Sequence, residues 1–115
     1  MKSYVYLSGP MRGYIDDNYP AFHAYASAFR KRGFNVVNPA ENFDGVKDLP
    51  MELYMRKDLA QVASCDIIAM LPGWKESAGA KAELFVAQTC ELTAICADTG
   101  EDIPHILSIN VEPKL

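Results

Sequence analysis

Apolar positions along the chain follow two rhythms. Short runs of apolar, β-branched and aromatic residues occur at Ser3–Leu7, Phe34–Val37, Asp66–Leu71 and Leu92–Ala97, and these read as strands. Between them the apolar residues recur at helical spacing. Phe22, Tyr25, Ala26 and Phe29 form one stripe, with Asn18 as a candidate N-cap and Pro20 in the first turn. Arg30, Lys31 and Arg32 fall in its last turn, where cations suit the negative end of the helix dipole, and Gly33 closes the helix. Met51 begins a second helix with Met55, Leu59 and Val62 as its stripe and Asp58 at the stripe's edge; Ser64-Cys65 ends it. A third helix runs from Ser77 to about Glu91, with Ala82, Phe85, Val86 and Thr89 expected to face inward. His105–Val111 reads as either a fifth strand or an extended tail.

Strands that alternate with helices of this length predict an α/β fold. The expected form is a doubly wound, Rossmann- or flavodoxin-like parallel sheet of four to five strands, with residues 1–115 as a single domain. Asp66–Leu71 is nearly all apolar, as a central parallel strand buried on both faces should be. Ligands of such sheets bind beyond the carboxyl ends of the strands. Three polar segments converge on that edge: the loops after the first and third strands, and Ala40–Pro50 after the second.

Composition narrows the classes of function. A net charge of −4 and a pI near 5.0 argue against a nucleic-acid polymer as partner, while leaving room for a small anionic ligand that needs only a few donors. The three cysteines, Cys65, Cys90 and Cys96, are odd in number and lack C-x-x-C spacing. They are expected to be reduced, mostly buried thiols of a cytoplasmic protein. Neither His23 nor His105 stands at ligand spacing from them, so no metal is expected. The N-terminus lacks a signal-peptide pattern, and no apolar run approaches the ~20 residues that span a bilayer, so no membrane partner is expected.

Several residues carry candidate chemistry. In the loop after the first strand, Gly9 and Gly13 permit tight turns and close approach, and Arg12 is either a solvated cation or a fork for phosphate or carboxylate. The loop matches neither a G-x-G-x-x-G fingerprint nor a Walker loop. Ser77 is placed to cap the third helix, whose first N–H groups form an anion site. Glu83 follows about two turns later among the small residues Ala78, Gly79, Ala80 and Ala82, which leave room for a ligand; a solvated helical glutamate is the plainer alternative. Lys81 is placed to face an anion. Asp58 has poor propensity for a helix interior and therefore wants a reason, although solvent exposure would be an adequate one. Trp74 is either a packing residue or a surface on which a base stacks.

Taken together, Y-L-S-G-P-M-R-G, M-R-K-D-L-A-Q-V-A-S-C-D-I-I-A-M-L and S-A-G-A-K-A-E resemble the nucleoside 2-deoxyribosyltransferase superfamily over residues 4–97. In motif they are most similar to its 2′-deoxynucleoside 5′-monophosphate N-glycosidases. The resemblance places Tyr6, Gly9, Arg12, Asp58, Ser77, Gly79 and Glu83 on family positions. It implies hydrolysis of a deoxynucleoside 5′-monophosphate to free base and deoxyribose 5-phosphate, with base exchange or nucleotide binding without turnover as the alternatives. By the same resemblance Glu83 is the nucleophile at C1′ and Asp58 the acid or base at the leaving group. Tyr6 orients the nucleophile or touches the sugar, and Arg12 and Ser77 hold the 5′-phosphate. No cofactor is implied. A homodimer or higher homo-oligomer is, with a neighbouring subunit supplying a polar residue such as Ser108 or Asn110. The chain departs from the pattern at two places. Ser77 stands where the transferases often carry an aspartate, which favours a phosphorylated substrate, and Lys81 replaces a small residue common among the hydrolases.

Overall fold

The computed structural model describes residues 3–45 and 49–106. Its regular elements are β1 (Tyr4–Ser8), α1 (Tyr19–Lys31), β2 (Asn35–Val37), α2 (Met51–Ala63), β3 (Ile67–Met70), α3 (Ala78–Thr89) and β4 (Thr93–Cys96). The four strands form one parallel sheet in the order β2-β1-β3-β4, as expected for a doubly wound α/β domain. Val5 lies opposite Val36 on one side and Ile67 on the other, and Ser8 lies opposite Met70. The chain reverses its direction of winding between β1 and β3, the switch point at which such sheets open a crevice.

Each face of the sheet has its own core. Val5, Leu7, Ala69 and Leu71 pack with Phe22, Ala26 and Phe29 of α1. Tyr6, Ile68 and Met70 pack on the other face with Val62 of α2 and Ala80, Leu84 and Ala87 of α3. Alternate residues of β1 and β3 therefore enter opposite cores, which is the pleat with a period of two. Asp66, just before β3, fastens the start of the sheet: its Oδ2 accepts from the Tyr4 amide at 2.8 Å.

Four sequence expectations need correction or restriction. Asn18 does not cap α1 with its side chain; it adopts a left-handed conformation and its Nδ2 donates instead to the Pro10 carbonyl at 2.9 Å, tying the loop to the helix start. The inward face of α3 is Ala80, Glu83, Leu84, Ala87 and Gln88, whereas Phe85 and Thr89 are exposed. The expected stripe was out of phase because α3 covers the sheet with small residues and buries polar ones. Cys65 alone of the cysteines is fully buried; Cys96 is half-buried and Cys90 exposed. Of the expected fifth strand, only His105 and Ile106 are among the described residues, and neither is in a strand.

After β4 the chain turns back along that strand's outer edge. The Cys96 amide donates to Glu101 O at 2.8 Å, the Ile103 amide donates to Ala94 O at 2.9 Å, and Asp102 bridges Ile95 in antiparallel sense. Gln88 of α3 fixes the segment that follows: its Nε2 donates to the carbonyls of Ile103 (3.3 Å) and Pro104 (3.0 Å), and its Oε1 accepts from the Ile106 amide (2.7 Å). On the opposite edge, Arg30 of α1 binds both carboxylate oxygens of Glu41 at 2.9 Å and donates to the Val36 carbonyl of β2 at 3.1 Å.

Candidate functional site

The site is built on β1. Its pleat sends Val5 and Leu7 toward α1, and Tyr6 and Ser8 toward α3. Ser8 is the last residue of the strand, at its carboxyl end. There α3 presents Glu83, which is only 6% exposed. Tyr6 Oη donates to Glu83 Oε2 at 3.1 Å, and Ser8 Oγ donates to Glu83 Oε1 at 2.5 Å. Each carboxyl oxygen thus has its own hydroxyl donor, from residues two apart on one strand.

The second carboxyl group comes from α2. A Cβ on Gly79 would lie 3.8 Å from Met55 Sδ, so α2 passes close to the first turn of α3. That contact takes up space beside Gly79 which the sequence had assigned to a ligand. It also brings Asp58, 8% exposed, into a hydrogen bond with Glu83. Asn42, from the segment after β2, donates through Nδ2 to Asp58 Oδ1 at 3.2 Å and to Gln61 Oε1 at 2.8 Å; Gln61 Nε2 returns a bond to Asn42 Oδ1 at 3.2 Å. The helical aspartate is therefore buried and partnered.

Both carboxyl groups are hard to ionise. Burial is the main cause at Glu83, raising it from its ordinary value of 4.5 to about 8; the neighbouring Asp58 raises it further, while the hydrogen bonds from Ser8 and Tyr6 pull it down. Burial also raises Asp58, to about 6, against the lowering bonds from Asn42 and Glu83 and the nearby Lys57. Burial and the adjacent Glu83 push the Tyr6 phenol well above its usual range, so Tyr6 stays a donor. At neutral pH the pair accordingly holds one proton between two hydrogen-bonded carboxyl groups.

The remaining sequence candidates lie around this centre. Ser77 caps α3, its Oγ accepting from the Ala80 amide at 3.1 Å. Arg12 and Lys81 are exposed. Gly9 has a packing reason, since a Cβ there would fall 2.7 Å from Leu71 Cβ. Gly73, at φ +90°, leaves space for the loop after β1: a Cβ on it would lie 2.6 Å from Tyr14 Oη and 3.2 Å from Pro10 Cγ. The loop carrying Arg12 and the loop leading to Ser77 are therefore in contact. Trp74 is buried in the same core as Tyr6 and lines a cavity of about 250 Å³ with Met70, Pro72, Cys96 and Asp98, and neither carboxyl group lines that cavity. Ser108 and Asn110 lie outside the described residues. Among the described residues no group of three or more His, Cys, Asp or Glu side chains is arranged to hold a metal, and no helix is long and apolar enough to cross a membrane.

Sequence reasoning missed Ser8 and Asn42. For Ser8 a signal was available, because a buried strand makes residues 6 and 8 share a face. For Asn42 none was: the segment after β2 reads as loop but forms a short 3-10 helix, Pro39–Gly45, and a residue there, 16 positions from Asp58, has no periodicity to betray the contact.

Residues 3–96 match the family model described as a domain of unknown function, DUF4406. The chain belongs to this family. The DUF4406 match runs from β1 through β4 and includes Tyr6, Ser8, Asp58 and Glu83. No curated protein matches the sequence. Among solved structures, a 2-desoxiribosyltransferase from Leishmania mexicana is similar, with a TM-score of 0.64 and 15% identity. The alignment covers 82% of the DUF4406 chain and 63% of the Leishmania chain, so the present chain spans less than two thirds of that structure's length. The likeness establishes a shared architecture.

Proposed function

We propose that this chain breaks the N-glycosidic bond of a 2′-deoxynucleoside 5′-monophosphate, with Glu83 as nucleophile and Asp58 as proton donor. The observation that carries this reading is the buried, hydrogen-bonded carboxyl pair at the carboxyl end of β1, with Glu83 held by Tyr6 and Ser8. Two carboxyl groups sharing one proton are the inventory that glycosidic cleavage needs, one to attack or stabilise and one to protonate. The shared proton passes from Glu83 to Asp58 across their hydrogen bond as the substrate settles. An oxygen lone pair of the ionised Glu83 then forms a bond to C1′. The C1′–N bond breaks, its electron pair stays on the base nitrogen, and Asp58 protonates the base. In the second half an acceptor attacks C1′, Asp58 takes the acceptor's proton, and the C1′–O bond returns its electrons to Glu83.

Contact between the loops after β1 and β3 supports a phosphate site made of Arg12 and the first turn of α3, with Ser77, Gly79 and Lys81, and with Gly9 at the base of the first loop. Trp74, beside its cavity, would bear on the base. The acceptor separates two readings. The name of the Leishmania structure favours a second base and therefore deoxyribosyl transfer. The motif resemblance favours water and hydrolysis, and the serine at position 77 favours a phosphorylated substrate in either case. Incubation with a panel of deoxy- and ribonucleoside 5′-monophosphates, with and without added free bases, tests both. Release of base that vanishes in Glu83→Ala supports the mechanism. Binding without turnover, or turnover untouched in Glu83→Ala, refutes it. Base exchange faster than hydrolysis assigns the transferase.

A further inference from the structure

Position 8 breaks an otherwise apolar or aromatic strand, Tyr-Val-Tyr-Leu-Ser, at a site with 0% exposure. Strands buried on both faces of a parallel sheet are normally apolar throughout, and a buried hydroxyl is tolerated when it finds a partner. The partner here is Glu83 Oε1, at 2.5 Å, the shorter of the two bonds that hold this carboxyl group. We propose that Ser8 is a positioning residue for Glu83: with Tyr6 it fixes the plane of the carboxyl group and favours its ionised, attacking form. The role rests on the reading of Glu83 as nucleophile.

The geometry explains why two donors are needed. One hydroxyl would leave the carboxyl group free to rotate about its final torsion. Two donors on opposite oxygens, anchored two residues apart on a rigid central strand, hold it in one plane. The backbone of Ser8 is itself fixed, since its carbonyl accepts from the Leu71 amide at 2.7 Å. A hydroxyl can only donate to an ionised carboxylate, so the bond favours that form and opposes the burial that keeps Glu83 protonated. The other groups facing Glu83 are Tyr6 from β1 and Asp58 from α2; Lys57 acts on Asp58, and Cys65 on Tyr6.

The test is Ser8→Ala, with Ser8→Thr to restore a hydroxyl, read in two ways. In the ligand-free full-length chain, the Glu83 side-chain carboxyl carbon is titrated by NMR, in the native background and with Asp58→Asn to remove the coupled proton. Ser8→Ala should move that titration upward by roughly one pH unit, the usual reach of a hydrogen bond to a charged group. Ser8→Thr should return it toward the native value. In turnover, Ser8→Ala should lower kcat by roughly tenfold or more with KM little changed, and should move the acid limb of the pH profile upward by a similar amount. A Glu83 titration that Ser8→Ala leaves in place overturns the proposal. Because that measurement uses no substrate, it decides the role of Ser8 in holding Glu83 even if the native protein releases no base, which would instead defeat the proposed function.

Discussion

Replacing Glu83 with glutamine should make the protein more stable at alkaline pH while abolishing the proposed chemistry. Unfolded, the glutamate ionises near 4.5; folded, burial and Asp58 hold it protonated up to about 8. Its folded value is raised, so the stability it contributes is fully present below pH 4.5 and is lost as pH rises toward 8. At about 1.4 kcal/mol for each pH unit between the two values, the loss reaches a few kcal/mol, on the order of a third of a typical domain's stability. Glutamine cannot ionise. Its amide can donate to Asp58 as the protonated glutamate did, and its oxygen can accept from one hydroxyl, so the exchange should cost about 1–2 kcal/mol in hydrogen bonding. Below pH 5 the native chain should therefore be the more stable. Near pH 8 Glu83→Gln should be ahead by roughly 3 kcal/mol, with the curves crossing in between. Asp58, raised to about 6 and coupled to Glu83, titrates in the lower range, so the comparison is read between pH 6 and 8. Urea unfolding of both proteins at half-unit steps from pH 4.5 to 9 measures this directly. Two stability curves that run parallel from pH 6 to 8 would refute the claim that Glu83 is folded in its protonated form.

Two further outcomes follow from the packing and a third from the proposed phosphate site. Gly9→Ala places a methyl 2.7 Å from Leu71 Cβ and should destabilise the fold by about 1–3 kcal/mol, seen as a lower urea midpoint with an unchanged slope. Gln88→Ala removes the partner of two carbonyls and one amide, and should speed hydrogen exchange at Ile103 and Ile106 while lowering stability by roughly 2–4 kcal/mol. Arg12→Ala should raise KM for a deoxynucleoside 5′-monophosphate about tenfold or more and leave the corresponding unphosphorylated nucleoside nearly unaffected, as a steady-state comparison of the two substrates would reveal.

The alternation of strand and helix was legible because parallel α/β units write their periods plainly: a run such as Asp66–Leu71 can be little else than a central strand. Residues Tyr6, Asp58 and Glu83 were legible through motif resemblance, and the structure brings them together. Phase was harder to read. On α3 the exposed Phe85 looks like a core residue, whereas the buried positions include Glu83 and Gln88, so hydrophobicity points to the wrong face. The loops were hardest. Three consecutive residues, Asp16, Asp17 and Asn18, take left-handed conformations near φ +52° to +63°. Asp and Asn tolerate that backbone, but nothing in their order announces it. The partnership of Asn42 with Asp58 and Gln61 likewise depends on how the short 3-10 helix after β2 sits against α2.

Both outer strands of the sheet are guarded against further pairing, β4 more fully than β2. The chain's own return through Glu101–Ile103 occupies the outer edge of β4, and the Arg30 guanidinium takes the Val36 carbonyl on β2, a strand of only three residues. Open edges are where sheets recruit foreign strands, leading to domain swapping and cross-β aggregation. With one edge occupied by main chain and the other short and charged, strand addition along either is disfavoured. Self-association of this domain would then be directed to its helical and loop faces more than to the edges of its four-stranded sheet.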